Sequence, residues 1–349
     1  MRNLLHGLPG SWAGFLAPLL LSAVPLIQLA AQGLTASATS SQAARKPIEG
    51  DTVVFAVATR LASMSAITGF ERAMLDTLRG LLPGAARDRA GNVHLTLGQG
   101  TKRRLVVCPV DEPGYVVGNV RSDGYVTLRR VPGRVWPLFD QQLEGNRVTI
   151  QGSRGPVAGV VAVRSIHLTR GRTAPGEDPF TVDDAYVDVG ATTGAKAARL
   201  GIGVLAPVTL AKRPHRYGDG LLAAPAAGRR AACAALLTAV RETAGKIKAA
   251  GTVVAGFMVE QQLGERGLAT LAHALGPFDE TLIVDGQPGL RGRLQRTRDQ
   301  RSEARWEKLG EVHRWALPVE YAGTAVETVS LADADSLRRG LAEWIGGTR

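Results

Sequence analysis

Cysteine and histidine are scarce in this 349-residue chain, which has two cysteines and six histidines. Cys108 and Cys233 are far apart in the sequence and lie in apolar surroundings, so we expect two unpaired core residues rather than a disulfide. His167 has no cysteine, histidine or carboxylate at ligand spacing around it, which favours a surface or packing role over metal ligation. These residues therefore indicate neither a disulfide framework nor a histidine-based metal site.

Aromatic residues make up only 5% of the chain, whereas its net charge is +11. Such a charge favours anionic partners, for example an envelope polymer or anionic lipid. The basic residues are concentrated between Arg291 and Lys308, where Trp306 is the only aromatic residue, so nucleic acid is disfavoured as a partner. This segment is either a solvated loop and helix face or a patch that binds a polyanion. Its arginines are Arg291, Arg293, Arg296, Arg298, Arg301 and Arg305.

Long apolar runs are absent except near the start of the chain, at Ala13–Ala31. A weakly basic start precedes that run, and the small residues Ala36–Ala38 follow it. This order predicts that residues 1–38 are an export signal, with an uncleaved membrane anchor as the alternative. Residues 39–50 are small or polar and predict a linker. We therefore expect a soluble body that is exported to the periplasm or the cell exterior.

The buried-strand pattern is clearest at Val253–Val259, where seven apolar residues follow one another. Such a run is typical of a central strand of a parallel sheet, covered on both faces. Polar residues follow in Glu260–Gly267, and a helix is predicted from Leu268 to Leu275. Because open α/β sheets place ligand sites at the carboxyl ends of their strands, the polar segment is the first candidate for a site.

Other segments predict further helices and a change of architecture in the middle of the chain. Helical spacing of apolar residues runs from Phe70 to Leu82, while Asp51–Met64 fits a strand or a short helix. Between residues 115 and 210, short alternating strands separated by glycine-containing and proline-containing turns predict a small β domain. Helices are again predicted at Ala231–Thr243 and Ser336–Ile345.

The polar segment Gln261–Gly267, QQLGERG, resembles the E-E-V-G-x-R-G signature of metallopeptidase family forty-two. That family comprises glutamyl aminopeptidases, tetrahedral aminopeptidases and cellulase-M-like proteins. Further short motifs resemble the family in the same order, among them Cys108–Gly114, Tyr186–Thr193 and Leu317–Glu327. The resemblance implies an α/β fold, namely a three-layer zinc-aminopeptidase-like domain of the phosphorylase/hydrolase-like type. It would be formed by residues 51–113 and 211–349, with an inserted small β-barrel domain of the dimerisation type at residues 114–210.

The resemblance also implies which positions would carry the family's chemistry. A glutamate acts as general base at position 261, and the family's metal ligands fall on five further positions. In this chain those positions are Pro109, Gly228, Gln262, Asp285 and Gly323, so Asp285 is the one ligand retained. Gln261 cannot accept a proton near neutral pH, and an amide is a poor ligand for a divalent cation. The neighbouring Glu260 does not replace the base, since adjacent side chains of a strand point to opposite faces.

We therefore expect an exported pseudo-peptidase that binds no catalytic metal or other cofactor. Its role would be binding or assembly, with a peptide or other small ligand in the cleft, and a purely structural role is equally open. Candidate cleft residues are Asp111, Arg229, Gln261, Gln262 and Asp285. Arg229 would repel a pair of dications, and Asp111, without the histidine it orients in the family, would serve as a structural acceptor.

The alternative function is a divergent metal-dependent aminopeptidase that uses zinc or cobalt to cleave N-terminal residues from peptides. His215 and His313 would then have to reach the cleft and build a rearranged mononuclear site. A tether to envelope polyanions through the basic surface is a third possibility. The family resemblance also implies a homodimer formed through the inserted domain.

Overall fold

The computed structural model describes residues 49–163, 179–245, 247, 251–300 and 303–347. The predicted export segment at residues 1–38, most of the linker at 39–50, His167 and Arg301 lie outside these residues. Among the helices that are described, none is both long and apolar enough to cross a bilayer.

The described residues form six α-helices and sixteen strands. The helices are α1 Glu49–Ala62, α2 Arg72–Leu81, α3 Gly194–Arg199, α4 Ala227–Thr243, α5 Arg266–Leu275 and α6 Leu331–Gly346. The first nine strands are β1 Ala86–Arg87, β2 Val93–Leu97, β3 Arg103–Pro109, β4 Tyr115–Val120, β5 Val126–Arg130, β6 Arg147–Gly152, β7 Gly155–Val161, β8 Tyr186–Asp188 and β9 Pro207–Leu210. The others are β10 His215–Tyr217, β11 Leu221–Ala223, β12 Thr252–Met258, β13 Glu280–Pro288, β14 Gln295–Asp299, β15 Glu311–Glu320 and β16 Thr328–Ser330. Four 3-10 helices lie at Phe139–Leu143, Val182–Asp184, Gln261–Leu263 and Ala304–Leu309.

Ten strands make one mixed sheet in the order β1-β2-β12-β3-β13-β15-β16-β11-β10, with β14 paired to β15. Its centre is parallel, because β3 pairs in parallel with both β12 and β13, and β13 pairs in parallel with β15. The other six strands close into an antiparallel barrel in the order β4-β5-β8-β7-β6-β9. A mixed α/β sheet with a closed barrel is the fold class that the sequence predicts.

Side chains that alternate along the central strands enter two separate cores. Val253, Ala255 and Phe257 of β12 pack with helices α1, α4 and α6 on one face of the sheet. Val254 and Met258 pack with helix α5 on the other face. Every residue of β12 is buried, as expected of a strand covered on both faces. The sheet is therefore the middle of three layers.

The structure decides between the alternatives for one segment and corrects the prediction for another. Asp51–Met64, for which the sequence allows a strand or a short helix, is helical through Ala62 in α1. The basic segment was predicted as a loop and helix face, but β14 lies within it and pairs antiparallel with β15. Strand pairing with β15 supplies backbone hydrogen bonds that the charge pattern does not reveal. The predicted domain limits at residues 114 and 210 stay a prediction.

The prediction of two unpaired cysteines is wrong, because Cys108 and Cys233 form a disulfide. Cys108 lies near the end of β3 and Cys233 lies on α4, so the bond joins the sheet to the helix that packs on it. Both residues are buried. The two cysteines are 125 residues apart in the sequence, and only the packing of α4 on the sheet brings them close together. The sequence alone therefore does not reveal the pair.

Ser330 caps the last helix, since its Oγ accepts a hydrogen bond of 3.3 Å from the backbone N–H of Asp333. We expect Ser330→Ala to lower the free energy of unfolding by about 1 kcal/mol, the usual loss of an N-cap. Ser336→Ala on the same helix is the control, because its exposed hydroxyl bonds only within the helix, to the carbonyl of Ala332 and to Arg339 Nη2, and caps no helix end. Urea denaturation of both variants measures the difference, and equal stabilities would contradict the capping role.

Candidate functional site

A cleft of about 1190 Å³ opens at the carboxyl ends of β12 and β13, between the sheet and the barrel. The sheet side contributes Arg229, Gln261 and Asp285 to its lining, and the barrel side contributes Tyr115 and Thr209. The polar segment after β12 turns at once into a 3-10 helix, Gln261–Leu263, which brings its amide side chains to the strand end. The cleft therefore lies where α/β sheets place ligand sites.

Arg229, the third residue of α4, lies at the floor of the cleft with its guanidinium against Asp285. Its Nε donates to Asp285 Oδ1 at 2.9 Å and its Nη2 donates to Oδ2 at 2.8 Å. Its Nη1 donates to the backbone carbonyl of Asp111 and lies 3.8 Å from Asp111 Oδ1. Burial opposes the charge of Arg229, yet the carboxylates of Asp285 and Asp111 outweigh burial and raise the pKa of the guanidinium. Arg229 is therefore a permanent cation held by two carboxylates.

The two glutamines lie beside this pair. Gln261 Nε2 is 3.5 Å from Asp285 Oδ2, whereas Gln261 Oε1 is buried without a hydrogen-bond partner. The backbone N–H of Gln262 donates to Asp111 Oδ2 at 3.0 Å, and Gln262 Oε1 accepts from the backbone N–H of Arg134 at 3.2 Å. The two glutamines thus connect the Arg229–Asp285 pair and Asp111 to the segment around Arg134.

Asp111, predicted to line the cleft, does not do so because its side chain is completely buried. Its Oδ2 accepts hydrogen bonds from Thr68 Oγ1 at 2.8 Å and from the Gln262 backbone at 3.0 Å. Arg229 contacts its backbone carbonyl from the cleft side. Asp111 is therefore an acceptor that ties the end of β3 to the strand-end loop, behind the surface that a ligand meets.

Glu327 is part of the site, although the sequence assigned it no role. Its Oε1 accepts from the backbone N–H of Gly228 and its Oε2 from that of Gly323, both at 2.9 Å. A Cβ on Gly228 would overlap Val319 Cγ1, and a Cβ on Gly323 would overlap Trp136 Cδ1. Neither position therefore accommodates a ligand side chain unless its neighbour moves. The glycine pair and Trp136 could be found only from the packing.

Burial raises the pKa of Glu327, although two backbone N–H groups and Arg229 oppose that effect. A carboxyl group whose pKa is higher in the folded protein than in the unfolded chain binds its proton more tightly in the fold. Its contribution to stability is then most favourable below pH 4.5 and declines as the pH rises through the raised pKa.

We expect the stability of wild type relative to Glu327→Gln to increase as the pH falls from 8 to about 4.5. The amide also replaces one acceptor by a donor, so the test uses the change of the stability difference with pH and not its absolute size. Chemical denaturation of both proteins across this range measures the difference. A stability difference that is constant with pH would contradict the raised pKa.

A second charged cluster, missed by the sequence analysis, lies next to the first. Glu112 contacts Lys212 Nζ through Oε2 and lies 3.1 Å from Arg230 Nη2 through Oε1, and all three side chains are buried. Burial would raise the pKa of Glu112, but Lys212 and Arg230 outweigh it and lower the pKa. Burial lowers the pKa of Lys212, with Glu112 opposing the shift. Two cations share one carboxylate in this cluster, so it carries a net positive charge when all three groups are ionised.

The histidines and the glutamate that would complete an alternative catalytic site lie outside the cleft lining. Neither His215 nor His313 lines the cleft. His313 Nε2 lies 3.3 Å from Glu311, and its strand position opposite Leu282 is nearer the start of β13 than Asp285 is. Glu260 pairs with Arg266 at 3.0 Å and does not line the cleft.

The donor set does not fit the dinuclear metal centre that the family resemblance implies. Pro109 and the glycines at 228 and 323 have no side-chain donor atom, and Asp285, the retained ligand, is hydrogen-bonded to Arg229 through both oxygens. A catalytic zinc needs about three protein ligands. Among the residues that the structure describes, no group of three or more histidine, cysteine, aspartate or glutamate side chains is placed to hold a metal ion.

The architecture and the position of the cleft define an aminopeptidase-like α/β protein. Residues 91–301, more than half of the chain, match the family model of the M42 glutamyl aminopeptidases. The chain therefore belongs to that family, as the sequence motifs predict. It is 29% identical over 231 residues to the Escherichia coli K12 protein SgcX, which is provisionally named an aminopeptidase. That match covers 64% of this chain and 60% of SgcX.

Solved structures show the same fold at low sequence identity. The TET1 peptidase of Pyrococcus horikoshii aligns with a TM-score of 0.73 and 18% identity over 84% of this chain and 99% of its own. That protein is described as assembling into a tetrahedron or a large octahedral shell. The TET aminopeptidase of Thaumarchaeota archaeon SCGC AB-539-E09 gives a TM-score of 0.72 and 19% identity over 84% of this chain and 96% of its own.

Proposed function

We propose that this protein is an exported, non-catalytic member of the M42 family that uses its cleft to bind a ligand. The observation that carries the proposal is the position of Arg229, whose guanidinium is held by Asp285, the one retained ligand position, and by Asp111. A fixed cation there repels the dications that the family's chemistry requires. The same group supplies the positive charge that the buried carboxylates need, so the fold stays intact without metal.

Proton transfer is lost together with the metal ligands. Gln261 lies within 3.5 Å of Asp285, at the place where the family resemblance puts the general base. An amide cannot take a proton from water near neutral pH. Glu327 is the other acidic group close to the glycine positions, but both of its oxygens accept backbone hydrogen bonds. No step of peptide hydrolysis is therefore assigned to the described residues.

The disulfide supports the proposal of export. Disulfides form and persist in oxidising compartments and are rare in the cytosol. Cys108 and Cys233 are both buried, so the bond is structural rather than a reactive surface pair. The location in the periplasm or outside the cell stays a proposal that thiol counting of protein isolated from each fraction would test.

Assembly through the barrel belongs to the same proposal. TET1 is described as a shell-forming peptidase, and this chain has the corresponding barrel, with half-exposed Val160 on its outside. We propose a homodimer formed through this domain, which sedimentation would detect. Binding of an anionic envelope polymer is less favoured, because Arg291, Arg298 and Arg305 of the basic segment each pair with a glutamate.

The test combines metal analysis with an aminopeptidase assay on the purified protein. We expect less than stoichiometric zinc or cobalt and no release of chromophore from a panel of chromogenic amino-acid amides, with or without added metal. A catalytically active aminopeptidase of the family, assayed in parallel, is the positive control. Bound zinc or cobalt near one equivalent, together with turnover that a chelator abolishes, would establish the divergent aminopeptidase instead.

The matched variant restores only the two carboxylates that the family has at positions 261 and 262. We expect Gln261→Glu with Gln262→Glu to gain neither metal nor activity, since Arg229 and the two filled glycine positions persist. If the double variant bound zinc and hydrolysed the amides, the lost carboxylates alone would explain the inactivity, and the role assigned to Arg229 would be wrong.

A further inference from the structure

The carboxylates that line the cleft are all engaged within the protein. Each has an ion-pair partner or accepts backbone hydrogen bonds: Glu112 pairs with Lys212, Glu265 and Asp299 with Arg314, Asp285 with Arg229, and Glu327 accepts from two glycines. A buried ammonium group needs a carboxylate partner to offset the loss of its hydration. The described residues of the lining therefore offer no free carboxylate for the N-terminal ammonium of a peptide.

The lining cations are engaged in the same way. Lys212, Arg229 and Arg314 are the partners in those ion pairs, and Arg305 pairs with Glu303 at 2.7 Å. Arg134 lies at an exposed position, where an ion pair with a ligand contributes little. A ligand carboxylate or phosphate therefore meets no buried, unpaired cation in the part of the lining that the structure describes.

Two of the lining residues each have one buried side-chain atom with no hydrogen-bond partner among the described residues, namely Gln261 Oε1 and Thr209 Oγ1. Thr209 is 4% exposed, and its strand neighbours Val208 and Leu210 enter the barrel core, so its own side chain lies on the outside of the barrel. Gln261 directs its amide nitrogen to Asp285, a pure acceptor, which leaves the amide oxygen for another donor. One unpartnered group therefore comes from the sheet and one from the barrel.

An aromatic surface completes the lining. Trp136 packs against Gly323, where the missing side chain makes room for the indole, and yet 52% of Trp136 is exposed. The other tryptophans of the described residues are at most 7% exposed. Phe139 lines the cleft close by. An indole fixed on one side and open on the other is a stacking surface for a ring.

We propose that the cleft binds an uncharged oligosaccharide, with a sugar ring stacked on Trp136 and hydroxyl groups paired with Thr209 and Gln261. The inference rests on the proposed function, because it names the ligand of a cleft that binds without cleaving. Hydroxyl groups both donate and accept, which suits the two unpartnered atoms, and a neutral ligand leaves the internal ion pairs intact. At about 1190 Å³ the cleft exceeds the usual 300–1,000 Å³ of a site for one small ligand, so several rings fit.

The test is titration of the full-length protein with three uncharged hexasaccharides, of β-1,4-glucose, α-1,4-glucose and β-1,4-N-acetylglucosamine. Tetra-alanine with a free N-terminus is the competing probe. We expect saturable binding of at least one sugar by calorimetry, with a Kd that changes less than about twofold between 50 and 500 mM salt. Trp136→Ala should weaken binding about tenfold or more, and the isosteric Thr209→Val should weaken it about threefold.

Leu138→Ala is the matched control, since Leu138 is exposed in the same segment but does not line the cleft. Its Kd should equal that of wild type. Tighter binding of tetra-alanine, binding of none of the sugars, or an unchanged Kd in both Trp136→Ala and Thr209→Val would overturn the inference. Hydrolysis of amino-acid amides would instead overturn the proposed function, so the two failures are distinguishable.

Discussion

Arg229→Met should lower the free energy of unfolding by about 3–5 kcal/mol, the usual loss when one partner of a buried ion pair is removed. The substitution keeps most of the aliphatic volume but leaves Asp285, which is 6% exposed, without its two charge-assisted hydrogen bonds. It also removes the donor to the Asp111 carbonyl. Urea denaturation at pH 7 measures the loss.

Two further variants isolate the cause. Arg266→Met removes the pair with Glu260, in which Arg266 is 66% exposed, and should cost less than about 1 kcal/mol. Arg229→Met combined with Asp285→Asn should be more stable than Arg229→Met alone, because the second change neutralises the unpaired carboxylate. If Arg229→Met were as stable as wild type, Arg229 would not be the internal counter-ion of the site.

Replacing both cysteines by alanine should cost about 5 kcal/mol, the chain-entropy estimate for a crosslink between residues 125 positions apart. The bond shortens the unfolded chain between β3 and α4, which together carry Pro109, Gly228 and Arg229. Loss of the bond should therefore destabilise the floor of the cleft as well as the whole fold. Thermal and urea unfolding of Cys108→Ala with Cys233→Ala measure the effect.

Thiol counting provides the control for this prediction. Denatured wild-type protein should show no free thiol without reductant and two after reduction. The reduced wild type and the double alanine variant should then have similar stabilities. Two free thiols in unreduced, freshly isolated protein, or a double variant as stable as oxidised wild type, would contradict a structural disulfide.

The fold was predictable because its signals are local. The apolar run at Val253–Val259 has the length and continuity of a strand covered on both faces, and β12 is that strand. Motifs spread through the chain in family order then fix the architecture. The disulfide and strand β14 were not predictable in the same way, because each depends on a partner that only tertiary packing brings close.

The candidate site also contains some residues that the sequence predicts and others that only tertiary packing reveals. The family register identified Arg229, Gln261 and Asp285, and the structure brings these three together. The family motifs do not indicate that Asp111 is buried behind Arg229. They also do not predict the contact of Trp136 with Gly323, because a glycine in a sequence shows that a side chain is missing but not which residue fills the space.

We propose that the Arg229 guanidinium occupies the place where the family resemblance puts the metal ligands. The most direct measurement is an anomalous-scattering map from crystals soaked in millimolar zinc. We predict density for the Arg229 side chain against both oxygens of Asp285 and no zinc peak within coordination distance of Asp285. A zinc peak bound to Asp285, with Arg229 displaced, would contradict the account.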